Sequence, residues 1–163
     1  MASPILSSKT VYLETTIFSS YVSQREDVAS LYRSDITRQW WAMQSQAFEL
    51  RTSEAVLSEL RAGSYPGQQE AVELAESLES LQITDEVLSI SELYVRHRLM
   101  PESTTGDALH LAVASFYEVD FLLTWNIRHL ANPNKLEHLG VIDRRLGLLP
   151  PSIVTPESLW SED

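Results

Sequence analysis

Short apolar segments alternate along this chain with longer segments in which apolar residues recur every three or four positions. Val11–Leu13 is the first and DFLLTW the clearest of the short apolar segments, and ELRTS, LQIT and IVT are further short segments that can supply strands. Short apolar runs are typical of buried strands, whereas the longer periodic segments are typical of helices. Strands separated by helices in this way predict an α/β fold with a mostly parallel sheet.

The pattern also predicts the extent of each element. The predicted strands are residues 11–13, 49–53, 81–84, 120–125 and 153–155. The predicted helices are residues 15–23, 27–48, 54–62, 68–81, 85–99, 104–117 and 126–147, the last interrupted near Pro133. Ser53 is placed to cap the helix that follows it, and Pro101 is expected to end helix 85–99. The chain shows no repeat and no linker, so residues 1–163 are predicted to form a single domain.

Composition narrows the possible chemistry. The chain is 44% hydrophobic over 163 residues, which is enough to build a core. It contains no cysteine, which excludes disulfides, thiolate nucleophiles and cysteine-ligated zinc and is consistent with a reducing cytoplasm. No apolar run approaches the ~18 residues needed to span a membrane, and the first ten residues lack the features of a signal peptide. We therefore expect a cytoplasmic protein that does not contact membranes.

The charge balance limits the possible partners. The chain has 12 Lys and Arg residues against 23 Asp and Glu residues, a net charge of −11. Proteins that bind nucleic acid neutralise phosphates with cationic side chains, so this balance argues against general nucleic-acid binding. A nucleic-acid substrate would require a local basic surface.

Four polar residues stand where an open α/β sheet binds its ligands, outside the carboxyl ends of the strands. Glu14 ends the first strand, and Asn126 follows the strand DFLLTW. Asp107 lies in the first turn of helix 104–117, and Glu59 lies deep inside helix 54–62. This placement predicts that acids from distant parts of the chain converge.

Each of these residues also has a purely structural interpretation. Asp107 stands three residues after Thr104, in a capping-box pattern, and Asn126 could cap the helix that follows it. Glu59 could form a surface pair within its helix. Glu14 is the most unusual, because glutamate is disfavoured in strands and is not a preferred N-cap. Spacing alone leaves both interpretations open.

Four segments, VYLETTIFSSYV, VLSEL, GDALHLAVAS and FLLTWNIRHLAN, occur in the order found in the PIN domain. Residues 10–132 resemble the VapC-type toxin ribonucleases of that family, most specifically in the DALHLAVA helix followed by the LLTW strand. The resemblance implies a three-layer fold with a mostly parallel central sheet of four or five strands flanked by helices. It also implies metal-dependent cleavage of RNA, a homodimer, and an antitoxin that inserts a segment over the active site.

The resemblance also assigns site residues. The family's functional positions fall on Glu14, Thr16, Glu59, Asp107 and Asn126. The second acid falls on Glu59 and not on Glu54. The chain departs from the usual family pattern with Glu in place of Asp at the first position and Asn at the fourth. One branch of the family is similar in both features and in its TWN..H.AN segment.

The chemistry of these side chains suits Mg²⁺ or Mn²⁺, which prefer oxygen ligands. Such an ion polarises a phosphodiester and lowers the pKa of a water that attacks phosphorus. We expect Glu14 and Asp107 to be the main ligands, and Glu59 to be a ligand or to orient the attacking water. Asn126 would contribute a neutral oxygen or a hydrogen bond, and Thr16 would support Glu14.

Residues 125–146 are net positive in this acidic chain. Arg128, His129 and Lys135 are therefore predicted to contact RNA, although the same segment could be a solvated helix face. His110, three residues after Asp107, is expected to be packed or hydrogen-bonded and not a ligand. The departures at positions 14 and 126 leave a second function open, a PIN-like binding or dimerisation module with weak catalysis. A small-molecule phosphatase fits less well, because the D-x-D nucleophile pattern is absent.

Overall fold

The structure, a computed structural model, describes residues 8–97, 99 and 105–161. Within these residues the strands are β1 (Thr10–Leu13), β2 (Glu49–Ser53), β3 (Glu79–Leu81), β4 (Phe121–Leu123) and β5 (Ser152–Val154). The α-helices are α1 (Thr15–Val22), α2 (Val28–Gln44), α3 (Glu54–Arg61), α4 (Gln68–Glu76), α5 (Asp85–Arg96), α6 (Thr105–Phe116) and α7 (Pro133–Leu146). A short 3-10 helix, Ser45–Ala47, follows α2. None of the helices in this part of the chain is long and apolar enough to cross a membrane.

The described strands form one parallel sheet in the order β3-β2-β1-β4-β5. This arrangement confirms the predicted α/β fold. Right-handed crossovers place α1 to α4 on one face of the sheet and α5 to α7 on the other. A strand in the middle of such a sheet is covered on both faces, so it reads as a continuous apolar run. That is why Val11, Tyr12 and Leu13 of β1 are all fully buried.

The chain reverses direction across the sheet at β1. It runs outward from β1 to β2 and β3 and then crosses back to β4, on the other side of β1. Ligands gather outside the carboxyl ends of the strands at such a reversal. Glu14 directly follows β1, and its backbone N–H donates to the carbonyl of Leu123 in β4 at 3.1 Å. The end of β1 is therefore joined to the end of β4 at this crevice.

The boundary predicted for the third strand is wrong. β3 covers Glu79–Leu81 and not residues 81–84, because α4 ends at Glu76 and does not extend to residue 81. The Ser77 hydroxyl, which donates to the carbonyl of Leu74 at 2.6 Å, marks that end. β3 lies exposed at the edge of the sheet. An ion pair of 3.2 Å between Glu79 and Arg51 of β2 supports the pairing of β3 with β2. An exposed edge strand has little apolar signal in its sequence.

Other helix boundaries are also shorter than predicted. α2 ends at Gln44 and α5 at Arg96. The segment predicted as helix 126–147 becomes helical only at Pro133, which occupies the first turn of α7 and has no N–H to lose there. Asn132 caps this helix by accepting from the N–H of Asn134 at 3.1 Å. The predicted stop at Pro101 lies outside the described residues.

Candidate active site

Glu14 is a buried carboxylate, only 3% exposed, at the N-terminus of α1. Its Oε1 accepts hydrogen bonds from the Thr16 N–H at 3.0 Å, from the Thr16 hydroxyl, and from the Thr124 hydroxyl at 2.8 Å. Its Oε2 has no hydrogen-bond partner among the described residues. One oxygen therefore caps the helix, and the other remains for a ligand. The strand ends in an acid because this acid caps the helix that follows it.

Asp107 reaches the same crevice from the first turn of α6. Its Oδ1 accepts a hydrogen bond from Asn126 Nδ2 at 2.9 Å, and no partner for Oδ2 lies among the described side chains. The Oδ1 of Asn126 accepts from the His129 N–H at 3.1 Å, which determines the orientation of the amide. Of the two contributions predicted for Asn126, the structure therefore shows the hydrogen bond, made directly to Asp107. The Thr104 of the predicted capping box lies outside the described residues.

Glu59 extends to the crevice from α3, and its side chain is 40% exposed. Its Oε1 lies 2.9 Å from His110 Nε2, and its Oε2 accepts from the Thr15 hydroxyl at 2.5 Å. Gly106 permits this position, because a Cβ at residue 106 would lie 2.9 Å from Glu59 Oε1. Both oxygens of Glu59 are thus engaged by protein. Glu54, in the first turn of the same helix, is exposed and makes no such contact with the described residues.

His110 connects Glu59 to a buried line of polar groups. Its Nδ1 lies 2.8 Å from the hydroxyl of Tyr12, which lies 2.7 Å from the Ser53 hydroxyl. Ser53 stands at the N-cap of α3, as predicted. The prediction that its side chain caps the helix is wrong, because it makes no side-chain cap hydrogen bond. The prediction that His110 is hydrogen-bonded is confirmed, but its contact with Glu59 was missed. The available signal was its spacing, since residues three apart on a helix share a face.

The pKa values at this site are shifted in different directions. Burial raises the pKa of Glu14 and of Asp107, and nearby hydrogen bonds and the charge of His110 offset this only in part. Burial also opposes ionisation of Glu59, but the hydrogen bond and the charge of His110 outweigh it and lower the Glu59 pKa. Burial opposes the charged form of His110, yet Glu59, Glu14 and Asp107 raise the His110 pKa. Glu59 and His110 therefore stabilise each other's charged forms. The negative charge of ionised Glu14 and Asp107 is compensated only in part.

The described residues contain no group of three or more His, Asp or Glu side chains arranged to enclose a metal ion. Two carboxylate oxygens, Glu14 Oε2 and Asp107 Oδ2, have no partner among those residues. Mg²⁺ usually keeps several of its waters and binds proteins through one or two carboxylates. This donor set therefore fits Mg²⁺ or Mn²⁺ held mainly by Glu14 and Asp107. Glu59 fits an orienting role better than direct ligation.

Of the three predicted substrate-binding residues, His129 lies nearest to the carboxylates. His129 is in the turn after β4, and its charge opposes the effect of burial on the pKa of Asp107. Arg128 is exposed in the same turn, and Lys135 lies in the first turn of α7. The structure thus brings His129 close to the carboxylates and places the other two further along the same segment.

Comparisons with known proteins agree with this architecture. The sequence model of the PIN domain matches residues 11–132. No curated protein sequence matches the chain. The chain is similar in structure to a toxin–antitoxin complex from Klebsiella pneumoniae, with a TM-score of 0.57 and 18% identity over 90% of this chain and 97% of that one. VapBC-5 of Mycobacterium tuberculosis, a member of the VapBC family of toxin–antitoxin systems, gives a TM-score of 0.46 at 18% identity over 72% and 85% of the two chains.

Proposed function

The chain belongs to the PIN domain family, and from that premise we propose that it is a metal-dependent endoribonuclease. PIN domains are generally nucleases and typically use divalent metals. The observation that carries the proposal is the pair Glu14 and Asp107. Both lie in the crevice between β1 and β4, both have a raised pKa, and each has one oxygen without a partner among the described residues.

We assign a role to each side chain of the site. Glu14 and Asp107 would hold Mg²⁺ or Mn²⁺, which supplies the charge that polarises a phosphodiester and acidifies water. Thr16 and Thr124 hold Oε1 of Glu14, and Asn126 holds Oδ1 of Asp107. Such contacts orient the ligands before the cation arrives and strengthen the site.

Glu59 has a separate task in this scheme. His110 and Thr15 hold its two oxygens from the protein side, so the direction of the carboxylate is set. Its lowered pKa keeps it ionised at neutral pH. An ionised, oriented carboxylate at the edge of the crevice accepts a hydrogen bond from the attacking water and aligns it with phosphorus.

We further propose that the protein is the cytoplasmic toxin of a toxin–antitoxin pair, active as a homodimer formed by single-domain chains of residues 1–163. The fold it shares with a toxin–antitoxin complex supports this assignment. Arg128, His129 and Lys135 would contact the RNA strand as it leaves the crevice. The acidic net charge of −11 restricts RNA contact to such local surfaces.

A binding or dimerisation module with weak catalysis is the second candidate function. It is favoured by one observation, that Glu14 and Asn126 each have a structural role, Glu14 as the N-cap of α1 and Asn126 as an acceptor in the turn after β4. This candidate predicts RNA or partner binding without cleavage.

Removing one carboxylate tests the proposed function. Mn²⁺ or Mg²⁺ should raise the Tm of the parent by several degrees, because a ligand at 100 times its Kd stabilises the folded state by about 2.7 kcal/mol. Asp107→Asn should abolish both this rise and metal-dependent cleavage of RNA. Asp85→Asn is the control, because Asp85 is an exposed first-turn acid of α5 outside the site. An equal rise in Tm for parent and Asp107→Asn contradicts the assigned metal site.

A further inference from the structure

A cavity of about 230 Å³ opens beside α1, next to the candidate active site. Its lining includes Thr16, Ser19, Ser20, Ser23, Arg33 and Trp125. Thr16 belongs to both the cavity and the candidate active site. Its hydroxyl donates to Glu14 Oε1 and accepts from the backbone N–H of Trp125 at 2.9 Å. The cavity therefore begins where the carboxylate site ends.

The cavity wall formed by α1 is a face of hydroxyl groups. Residues 16, 19, 20 and 23 follow the spacing of one helical face, while Ile17, Phe18 and Val22 on the other face are buried in the core. The Ser20 hydroxyl makes no hydrogen bond to any described residue. No Asp or Glu is among the described residues that line the cavity. The hydroxyls of Thr16 and Ser19 donate within the protein, so Ser20 is a hydroxyl of this wall left to donate, and with no carboxylate beside it an anionic ligand is favoured.

Arg33 supplies the positive charge. Its guanidinium lies over the ring of Trp125, 5.7 Å from the centroid, and the indole N–H donates to Thr37 at 2.7 Å. A guanidinium stacked in this way has a set orientation, and its N–H groups remain available at its edge. Arg33 forms no ion pair with any carboxylate in the described part of the chain, whereas Arg25 lies 3.6 Å from Asp27. Arg25 also lines the cavity, so among the described lining residues Arg33 is the cation that an anion would meet without competition from an ion pair.

The size of the cavity restricts the ligand. The cavity is smaller than the ~300–1,000 Å³ of pockets that enclose drug-sized molecules. A cavity of this size that is open to solvent suits a small anionic group such as a phosphate, with the rest of the ligand outside it.

We propose that this cavity binds a backbone phosphate of the RNA strand, adjacent along the strand to the phosphodiester that is cleaved. The inference rests on the proposed ribonuclease function and names a substrate contact for it. Arg33 would donate to the phosphate through its fork of N–H groups, assisted by the hydroxyl of Ser20. Trp125, which is only 3% exposed, holds Arg33 and does not stack on a base. A contact of this kind sets the register of the strand without reading its sequence.

The salt dependence of RNA binding tests the proposal. Affinity for a single-stranded RNA oligonucleotide is measured at several salt concentrations in an Asp107→Asn background, so that binding is separated from cleavage. Arg33→Gln should weaken binding and reduce the slope of log K against log salt by about 0.7, the value for one phosphate contact on a single strand. Arg38→Gln is the matched control, because Arg38 lies on the same helix but stacks on Tyr21 at 4.6 Å, outside the cavity. It should leave the slope unchanged.

A second pair of variants tests the cavity without altering Arg33. Ser20→Asp places a negative charge in the cavity and should weaken RNA binding about tenfold or more, whereas Ser20→Asn has the same size without charge and should bind like the parent. Equal slopes for the two arginine variants, with equal affinities for the two Ser20 variants, would overturn the cavity and leave the ribonuclease function intact. Weakened binding of an acidic peptide with unchanged RNA binding in Arg33→Gln would also overturn it. If the parent neither binds nor cleaves RNA, the proposed function fails together with this inference.

Discussion

At the scale of single residues, the two oxygens of Glu14 separate its structural role from its proposed chemical role. Glu14→Gln retains an oxygen that can accept from Thr16 and Thr124, so the fold should persist. Loss of the charge should reduce metal affinity and cleavage on the order of 10²-fold or more. Isothermal titration with Mn²⁺ and an RNA cleavage assay measure the two effects.

Glu14→Asp is the companion variant. Asp is a better N-cap than Glu, so stability should be preserved. Its carboxylate is one methylene shorter and should lose the 2.8 Å contact with Thr124, whose hydroxyl is buried at the end of β4. Cleavage should therefore fall, though less than in Glu14→Gln. If both variants cleave RNA like the parent with unchanged metal affinity, Glu14 is only a helix cap.

Glu59 and Glu54 form an internal control within one helix. Glu59→Gln should suppress cleavage with the fold intact, because the amide cannot replace a carboxylate that orients water. Glu54→Gln should cost only a few tenths of a kcal/mol, the loss of a first-turn charge. Cleavage rates and Tm values for the two variants measure the difference. Equal losses of activity would mean that Glu59 has no special place in the site.

Gly106 offers a change that separates activity from stability. Gly106→Ala improves helix propensity by up to about 1 kcal/mol, but its Cβ would lie 2.9 Å from Glu59 Oε1 and should push that flexible side chain away. We expect an unchanged or raised Tm together with slower cleavage. Gly140→Ala in α7 is the matched control, because its Cβ would meet only Arg144 at an ordinary 3.8 Å. Unimpaired cleavage by Gly106→Ala would show that the position of Glu59 is not critical.

At the scale of elements, one buried acid joins two helices away from the site. The Tyr94 hydroxyl of α5 donates to Asp143 Oδ1 of α7 at 2.5 Å, while Asp143 Oδ2 and the Ser115 hydroxyl of α6 lack partners among the described residues. Burial raises the pKa of Asp143, and the hydrogen bond from Tyr94 and the nearby Ser115 hydroxyl oppose this only in part. When an acid has a higher pKa in the folded state, the protein loses stability as pH rises from the unfolded-state pKa of ~3.9 through the folded-state pKa.

Asp143→Asn should therefore stabilise the protein at pH 7 by roughly 1 kcal/mol, the lower end of the cost of an unsatisfied buried polar group. Below the unfolded pKa both proteins have a neutral side chain at this position, so the gain should shrink there. Urea denaturation of the parent and the variant at pH 7 and at acid pH measures both values. A variant less stable than the parent at pH 7 would show that the ionised carboxylate is well accommodated.

Element identity was predictable where burial produced a strong pattern, and boundaries were not. The central strands β1 and β4 carry unbroken apolar runs because both of their faces are covered. β3 begins two residues before its predicted start, because an exposed edge strand has no such run to mark it. Ser53 occupies the predicted cap position, but Tyr12 binds its hydroxyl, a choice that depends on a strand 41 residues away in sequence.

At the scale of the whole molecule, the sequence likewise predicted some features of the site and missed others. Glu14, Glu59, Asp107 and Asn126 could be selected from the sequence because the family resemblance aligned them. The link from His110 to Glu59 and the cavity beneath Arg33 could not, because each joins helices that only the tertiary fold brings together. The net charge of −11 makes these local arrangements decisive, since the molecule as a whole repels RNA.

The pairing of β1 with β4 has a consequence for the folding of the protein during its synthesis on the ribosome. The hydrogen bond between Thr124 and Glu14 spans 110 residues. At translation rates of about 5–20 residues per second, the partner of Glu14 is synthesised roughly 5–20 s after Glu14 itself. No nascent chain that stops short of β4 has an assembled crevice, so an unfinished chain would lack the proposed nuclease activity. Under the proposed function, the interval would give a cell time to have a neutralising partner present before β4 completes the crevice.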